Sequence, residues 1–390
     1  MSARTSRPLK RHLTRLAARM SRRPSLTPAE LVALRPQRLL IVRQHNQMGD
    51  MVCATPAFRA LRSAYPGAEI ALVTAPINDA VVRHNPDIDR VLRFDKDLWA
   101  HPRRLAVFWR DLRGFRADLA FVLNSVSFSV TSAVLGLVSG APHVVGGDSR
   151  PFGWRISDAY SLVMPAAPDL DCHAVDDNLA PLRSVGITTD DRSTIVVPSP
   201  AEQAVAAGLL AEWGWEDGFR ALHPGAGKRQ NAWPPERFAA VAARAAAAGG
   251  HVLVLHGASD RDLLGSFLAA LGERPPPEVK VAPEVSVGTA AALLARCERF
   301  LCNDTGIMHV AGAVRAPTLA LFGPTRPDFW KPPVPEVVAL SSPRRTPDPR
   351  GGEYGWMENL SVDEVWAAWS ALPARSFPAC DPAADPHRTA

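Results

Sequence analysis

Short apolar runs alternate with stretches of helical periodicity along most of the chain. Residues 55–65 have the spacing of an amphipathic helix, and Pro56 suits its first turn. In the same half, apolar runs that indicate strands occupy residues 38–42, 69–74, 91–94 and 118–123. Strands that alternate with helices predict a parallel sheet covered by helices on both faces.

The same alternation starts again after residue 191. Strands are predicted at residues 219–223, 251–256, 279–281, 300–302 and 318–322, and helices at 235–248 and 287–295. A chain of 390 residues is too long for one ordinary core and suits two domains. We therefore expect two similar α/β halves that meet near residues 193–201. Their ligand crevice should lie between them, at the carboxyl ends of the strands.

Residues 303–309, Asn-Asp-Thr-Gly-Ile-Met-His, follow an apolar run and lead into a second one. This pattern predicts the end of a strand turning into a helix, whose first N–H groups are exposed beside Gly306. Such a helix start suits a phosphate group. The segment therefore predicts a nucleotide-type ligand.

The common sequence motifs for phosphate binding and for hydrolases do not fit. No Gly-x-Gly-x-x-Gly follows the first predicted strand. Residues 225–228 resemble a Walker loop, but Leu222 stands where its first glycine belongs and Arg229 where its hydroxyl residue belongs. Residues 257–261 fail the nucleophile-elbow pattern at their last position. Dinucleotide-binding enzymes, P-loop enzymes and α/β-hydrolases are therefore excluded.

The net charge of +5 is modest, and much of the basic excess lies in residues 4–23, where leucines recur at helical spacing. This predicts a short basic amphipathic helix, which either rests on an anionic membrane surface or is a solvated extension. No compact apolar segment follows it, so a signal peptide is not expected. Residues 119–142 are uncharged but too polar for a membrane span. No aromatic-basic motif points to a nucleic acid.

The five cysteines are scattered, with no spacing typical of a zinc site or a disulfide framework. A reducing cytosol fits this pattern best. We therefore expect a cytoplasmic protein, with peripheral contact at the inner face of the cytoplasmic membrane as one possibility.

Several ordered motifs closely resemble glycosyltransferase family 9, the heptosyltransferases. In the first half, they are Leu-Leu-Ile-Val-Arg (39–43), Met-Gly-Asp-Met-Val (48–52), Thr-Pro-Ala-Phe-Arg-Ala-Leu (55–61) and Tyr-Pro (65–66). In the second half, they are His-Pro-Gly-Ala-Gly (223–227), Trp-Pro-Pro-Glu-Arg-Phe (233–238), Asn-Asp-Thr-Gly (303–306) with His309, and Leu-Phe-Gly-Pro-Thr (321–325). The resemblance covers roughly residues 36–370, and several motifs in one order are more specific than any single motif.

The resemblance implies an α/β fold of the GT-B type, in which two Rossmann-like domains with parallel sheets face each other across a cleft. The expected division is a basic N-terminal extension (1–35), an acceptor-binding domain (36–195) and a nucleotide-sugar-binding domain (196–345). A linker and C-terminal helix (346–376) should then return to the N-terminal domain, and a disordered tail (377–390) should follow. A capping box at Ser361 and Glu364 opens that last helix.

The family's activity is an inverting transfer of a heptose from an ADP-sugar donor to a growing lipopolysaccharide core, without a cofactor or an obligatory metal. The expected partners are therefore an ADP-sugar and a lipid-linked oligosaccharide or lipopolysaccharide core. Asp50, on the loop expected after the first strand, matches the general base, which accepts the proton of the acceptor hydroxyl. A helix cap is the alternative for Asp50. Gly49 and Arg43 are expected on the acceptor side.

On the donor side, fixed hydrogen-bond donors must stabilise the leaving diphosphate. The candidates for binding the nucleotide-sugar are Gly225, Gly227, Lys228, Gly257, Asp260, Asp304, Thr305, Gly306, His309 and Thr325. Many relatives carry a basic residue just before Trp233, where this chain has Asn231 and Ala232, so Lys228 or Arg229 would supply the cation instead. Asp304 could also cap the following helix, and His309 could be a buried structural histidine.

The sequence leaves two other function classes open. An enzyme such as a nucleotide-sugar epimerase would use the same fold without a large acceptor groove. A non-catalytic sugar-nucleotide-binding protein would not depend on Asp50. The sequence does not specify the sugar, the base of the nucleotide or the acceptor residue.

Overall fold

The computed structural model describes residues 22–44, 47–124, 127–165, 171–215, 218–343 and 354–377. These residues form two six-stranded sheets, and all the strand pairs in them are parallel. We call the two sheets, with the helices packed on them, the N-terminal and C-terminal lobes. This is the α/β fold with two Rossmann-like halves that the sequence predicts.

The N-terminal lobe has the strand order β3-β2-β1-β4-β5-β6. Its strands are β1 (Arg38–Arg43), β2 (Glu69–Thr74), β3 (Arg90–Arg93), β4 (Leu119–Val122), β5 (His143–Gly147) and β6 (Leu162–Met164). Its helices are α1 (Pro28–Ala33), α2 (Met48–Cys53), α3 (Thr55–Ala64), α4 (Pro76–Val82), α5 (Pro102–Gly114), α6 (Val130–Val138) and α7 (Ala174–Arg183).

The C-terminal lobe repeats this topology with the order β12-β11-β10-β7-β8-β9. Its strands are β7 (Phe219–His223), β8 (Val252–Val254), β9 (Val279–Val281), β10 (Cys297–Asn303), β11 (Thr318–Phe322) and β12 (Val337–Ser341). Its helices are α8 (Pro200–Glu212), α9 (Pro235–Ala247), α10 (Arg261–Leu271), α11 (Val287–Leu294), α12 (Gly306–Ala313), α13 (Pro327–Trp330) and α14 (Val362–Ala371).

Burial along β1 explains why its sequence is a continuous apolar run. Leu39 and Ile41 enter one apolar cluster, Leu40 and Val42 enter another, and all four side chains are fully buried. Successive side chains of a strand point to opposite faces, so a sheet covered on both faces needs apolar residues at every position.

In each sheet the strand order reverses next to the first strand of the lobe. The reversal lies between β1 and β4 in the N-terminal lobe and between β7 and β10 in the C-terminal lobe. Loops at the carboxyl ends of such strands diverge and leave a crevice. One apolar cluster contains both Met51 and Val52 of α2 and Ile307 and Met308 of α12, so the two lobes pack together beside these reversals.

Two local predictions are corrected. Asp50 lies on the short helix α2 rather than on a loop. Helix α14 does not return to the N-terminal lobe, because Val365 and Trp369 share an apolar cluster with Trp233 and Phe238 of the C-terminal lobe. The capping box at its start is confirmed, since Ser361 and Glu364 bond each other's backbone N–H groups.

The predicted basic helix lies almost wholly outside the described residues. So do residues 346–353 at the start of the predicted linker and the predicted tail after residue 377. Where the structure begins, Arg23 donates hydrogen bonds to the carbonyls of Ala159 and Leu137. None of the helices in the described parts of the chain combines the length and the apolar character that a membrane crossing requires.

Candidate functional site

A cavity of about 410 Å³ lies between the lobes at the carboxyl ends of their strands. The N-terminal lobe contributes residues that follow β1 and β2, and the C-terminal lobe contributes residues that follow β7, β10 and β11. The lining residues are Gln47, Met48, Gly49, Asp50, Ile77, Gly227, Lys228, Asn231, Asp304, Thr305, Gly306, His309, Thr325 and Trp330.

Asp50 lies in the first turn of α2, which starts a few residues after β1. Its side chain lines the cavity, although the residue is only 7% exposed. Burial raises the pKa of this carboxyl, and the attraction of Arg43 partly opposes the shift. Among the described residues, none donates a hydrogen bond to the carboxylate oxygens. Asp50 can therefore accept a proton from a group in the cavity.

Arg43 lies beneath α2 rather than in the cavity. The residue is 1% exposed, and its Nη2 donates a hydrogen bond of 3.1 Å to the Asp50 carbonyl. Burial lowers the pKa of the guanidinium, and the nearby Asp50, Cys53 and Asp177 oppose that shift. Arg43 is therefore not among the residues that line the cavity, and it supports the helix that carries Asp50.

Asn303 joins the two loops at the reversal of the C-terminal sheet. Its Nδ2 donates to the carbonyls of Pro224 and Gly225, at 3.1 and 3.0 Å, and its Oδ1 accepts from the N–H of Trp233 at 2.9 Å. The side chain is fully buried, so all three bonds are shielded from water. Asn303 thus fixes the end of β7 against the end of β10.

Helix α12 begins at the cavity, as the sequence predicts. Thr305, not Asp304, occupies the N-cap position, and its side chain makes no capping hydrogen bond. Capping by Asp304 is therefore wrong. The unused hydroxyl and the first N–H groups of α12 border the cavity together with Gly306, whose missing side chain leaves room for Met48.

Asp304 is a second buried carboxyl of the cavity. Burial raises its pKa, while the Thr325 hydroxyl and the charge of Lys228 oppose the shift. The Nδ2 of Asn231 donates a hydrogen bond of 3.3 Å to its Oδ2. Asp304 is thus positioned by neighbours from two loops and can accept hydrogen bonds from a ligand's hydroxyl groups.

His309 lies one turn into α12 and faces α2 across the boundary between the lobes. A Cβ atom on Gly49 would lie 2.7 Å from its Cδ2, so the glycine makes room for the imidazole. Burial lowers the pKa of His309 to about 4, with a smaller contribution from His173. The imidazole is therefore neutral at pH 7 and can interact with a ligand only as a neutral donor or acceptor.

Among the described residues that line the cavity, Lys228 is the only lysine or arginine. Arg229 points elsewhere: its guanidinium lies 4.6 Å from the centre of the Tyr354 ring and donates to the Tyr354 hydroxyl at 3.0 Å. Of the two cations that the sequence leaves open, Lys228 is thus the one at the cavity.

Gly225, Gly257 and Asp260 are not among the residues that line the cavity. The Asp260 carboxylate lies 3.2 Å from His223 Nε2 and accepts the Gly257 N–H at 2.8 Å. A Cβ on Gly225 would lie 2.3 Å from that carboxylate. These predicted nucleotide-sugar residues instead pack the loops after β7 and β8 against each other.

Five lining residues are not among the predicted site residues: Gln47, Met48, Ile77, Asn231 and Trp330. Ile77 is 58% exposed at the start of a helix that follows a strand, and an apolar residue in that position is a usable signal. Asn231 lies two residues before Trp233, in the segment where the family resemblance implies a basic residue. The sequence offers no comparable signal for Trp330, whose indole meets the His309 ring edge to face at 6.3 Å.

The site therefore combines a carboxylate in a desolvated position, the start of a helix, a neutral imidazole and one lysine. These groups can accept a proton on one side and stabilise developing negative charge on the other. Among the described residues, no cluster of three or more His, Cys, Asp or Glu side chains could hold a metal ion.

Comparison with known proteins identifies the family. Residues 105–353 match the family described as glycosyltransferase family 9 (heptosyltransferase). Lipopolysaccharide heptosyltransferase 1 of Pseudomonas aeruginosa is 35% identical over 313 residues, which cover 75% of this chain and 80% of that protein. Lipopolysaccharide heptosyltransferase 2 of Escherichia coli K12 is 26% identical over 317 residues, with 75% and 85% covered.

Solved structures share the fold. The E. coli ADP-heptose lipopolysaccharide heptosyltransferase II superposes with a TM-score of 0.68 at 22% identity, covering 86% of this chain and 98% of that one. An E. coli heptosyltransferase with ADP gives a TM-score of 0.62 at 19% identity, with 85% and 96% covered. The motifs, the two parallel sheets with the cavity between them and the family match lead to one conclusion: this chain is a glycosyltransferase that belongs to family 9, the heptosyltransferases.

Proposed function

We propose that the protein is an inverting glycosyltransferase that moves a heptose, or a related sugar, from an ADP-sugar to a lipopolysaccharide core or a similar glycan. The names of its relatives support the sugar and the acceptor. The observation that carries the proposal is the shared cavity, in which Asp50 of one lobe lies opposite the start of α12 of the other.

In this proposal Asp50 is the general base. The acceptor oxygen attacks the anomeric carbon of the donor, and its proton passes to the Asp50 carboxylate. The bond between the anomeric carbon and the diphosphate oxygen breaks, and ADP leaves with the electron pair. A single displacement inverts the anomeric centre and needs no covalent intermediate. The raised pKa of Asp50 supports this role, because a base whose pKa lies nearer the working pH accepts a proton more readily.

The C-terminal lobe would hold the donor. The N–H groups at the start of α12, the hydroxyls of Thr305 and Thr325, and Lys228 would bind the diphosphate. Asp304, with Asn231 beside it, would accept hydrogen bonds from hydroxyl groups of the sugar. The N-terminal lobe, with Gly49 next to Asp50, would then present the acceptor.

The test is a transfer assay with purified protein. ADP-heptose is supplied with and without a lipopolysaccharide core acceptor, GDP- and UDP-sugars serve as comparison donors, and products are identified by mass spectrometry. We expect the acceptor to gain one heptose while one ADP is released, and neither to form in the absence of acceptor. Release of a rearranged sugar without acceptor would identify an epimerase-like enzyme, and binding without turnover would identify a non-catalytic protein.

We also propose that the protein works in the cytoplasm, in peripheral contact with the inner face of the cytoplasmic membrane. The basic residues of the first 23 positions and the lipid-linked acceptor support this location. The full chain should sediment with vesicles that contain anionic phospholipid, and replacing the basic residues before residue 22 with glutamine should abolish this binding. Equal sedimentation of both proteins would refute the contact.

A further inference from the structure

His309 and Cys53 form a contact between the lobes that the proposed reaction does not yet use. Cys53 lies at the end of α2, and its Sγ is 3.4 Å from Nδ1 of His309 on α12. Gly49, one turn earlier on α2, lies against Cδ2 and Nε2 of the same ring. The helix that carries Asp50 therefore holds the imidazole at Nδ1 and along its opposite edge.

The direction of the hydrogen bond follows from the chemistry of the two groups. A neutral imidazole has one N–H donor and one acceptor nitrogen, and a thiol is a weak donor through its S–H and a weak acceptor through its sulfur. If the S–H donates to Nδ1, both groups are satisfied, whereas in the opposite direction the buried S–H hydrogen has no acceptor among the described residues. Burial raises the pKa of the Cys53 thiol and lowers that of His309 to about 4, so the thiol keeps its proton and the ring is neutral. The thiol is therefore the donor and Nδ1 the acceptor.

Cys297 provides an internal comparison. Its buried thiol donates to the carbonyl of Leu294, at 3.2 Å, in the helix just before it. Among the described residues, His309 Nδ1 is the hydrogen-bond partner found for the Cys53 thiol. Because buried polar groups are normally hydrogen-bonded, the Cys53 thiol is expected to stay paired with Nδ1 of His309.

If Nδ1 accepts, the ring hydrogen must be on Nε2. No described residue accepts a hydrogen bond from Nε2, and His309 lines the cavity. We propose that Cys53 is a positioning residue that holds His309 in the Nε2–H tautomer, so that the ring donates a hydrogen bond to an anionic oxygen of the bound diphosphate. The identity of the ligand rests on the proposed function, whereas the tautomer does not.

The test reads the tautomer directly. Protein labelled with ¹⁵N at its histidines is examined by NMR without ligand and with ADP, and the His309 signals are assigned with His309→Gln. We expect a protonated Nε2 and an unprotonated Nδ1 in the wild type at neutral pH. Cys53→Ala should give a mixture of tautomers and weaken ADP binding by roughly 2- to 12-fold, the range for one hydrogen bond. Cys53→Ser, which restores a donor, should retain the wild-type tautomer.

Cys297→Ala is the matched control, because it removes a buried thiol outside the cavity and should change neither the tautomer nor the ADP affinity. A protonated Nδ1 in the wild type, or an unchanged tautomer in Cys53→Ala, would overturn the proposal. If the tautomers behave as expected but no nucleotide binds to the wild type, Cys53 positions His309 as proposed. The proposal that the His309 ring binds a diphosphate is then refuted.

Discussion

Among single residues, Asp50 determines the site, because its carboxyl group is buried and must still be able to ionise. Burial alone would favour its protonated form, and Arg43 beneath α2 opposes this with a full positive charge. Arg43 is itself fully enclosed and is held by its hydrogen bond to the Asp50 carbonyl. The arginine therefore influences the proposed base without touching a substrate.

Replacing Arg43 should shift the pH dependence of transfer. A general base must be deprotonated, so kcat/KM should rise with pH through the pKa of Asp50. Arg43→Gln keeps a polar side chain but has no charge, so the pKa of Asp50 should rise further and the acidic limb of the profile should move to higher pH. Arg43→Lys, which keeps the charge, should move it less. Identical profiles for the two variants would rule out this influence of the charge.

Single residues also show which parts of the site the sequence could not predict. The motifs identified Asp50, Lys228 and the start of α12 because these residues lie in the segments that follow strands, which meet at one edge of the sheet. Asp260 also follows a strand, but it is engaged by His223 and the Gly257 N–H within its own lobe. A sequence does not reveal whether an acid at a strand end already has partners.

At the scale of elements, the close approach of α2 and α12 creates the site. Gly49 lets the His309 ring lie against α2, and Gly306 lets Met48 lie against α12. The sequence predicts α12 from its strand-to-helix pattern. It does not predict α2, because a segment as short as Met48–Cys53 has no room for helical periodicity.

An alanine at Gly49 should separate the two helices. Its Cβ would lie 2.7 and 3.0 Å from Cδ2 and Nε2 of His309, and the ring is confined by Cys53 and Trp330. We therefore expect Gly49→Ala to lower the free energy of unfolding and to weaken ADP binding. Denaturant unfolding and calorimetric titration would measure the two effects.

Gly208→Ala is the matched control for that variant. Gly208 lies inside α8, and a Cβ there would meet nothing within 4 Å. It should raise the free energy of unfolding by up to about 1 kcal/mol, because alanine favours a helix more than glycine does. If both variants shift stability in the same direction, the close approach of His309 to Gly49 does not constrain the structure.

The sequence did not predict strands β5 and β6 or the surface on which the last helix packs. Strands β5 and β6 are short, and β5 ends in two glycines, which are disfavoured in strands. Helix α14 was predicted from its capping box and apolar spacing, but such a pattern does not indicate which apolar surface the helix covers. The structure packs it against α9 in the C-terminal lobe, where Arg244 also pairs with Asp363 at 2.6 Å.

At the scale of the whole molecule, the lobes are joined where the cavity lies. The apolar cluster that contains α2 and α12 crosses between them. His173, just before α7, lies with its Nε2 2.7 Å from the carbonyl of Lys331, just after α13. The buried His309 lies at this junction, so its protonation should affect the stability of the whole protein.

The free energy of unfolding should fall in acid because of His309. Its folded pKa of about 4 lies below the ordinary value of 6.5, so between these values the unfolded chain binds a proton that the folded protein does not. The contribution of neutral His309 to the free energy of unfolding is therefore complete above the ordinary pKa. It is lost as pH falls through the folded pKa, and the loss amounts to up to about 3 kcal/mol.

The check is urea unfolding of the wild type and His309→Gln from about pH 4 to about pH 8. The raised pKa values of Asp50 and Asp304 act in the opposite direction, so only the difference between the two proteins isolates His309. That difference should change with pH, with the wild type losing more stability in acid. A difference that is constant with pH would contradict the burial of a neutral His309 at the junction.

We propose that Asp50 accepts the acceptor's proton while the C-terminal lobe independently holds the donor. The most direct measurement is the turnover of Asp50→Asn, with the donor affinity determined on the same sample. Asp87→Asn is the matched control, because Asp87 is another buried carboxyl of raised pKa in the N-terminal lobe but does not line the cavity. We predict that Asp50→Asn lowers kcat by about 10²- to 10⁴-fold with unchanged donor affinity, whereas Asp87→Asn retains turnover. Wild-type turnover by Asp50→Asn would contradict the account.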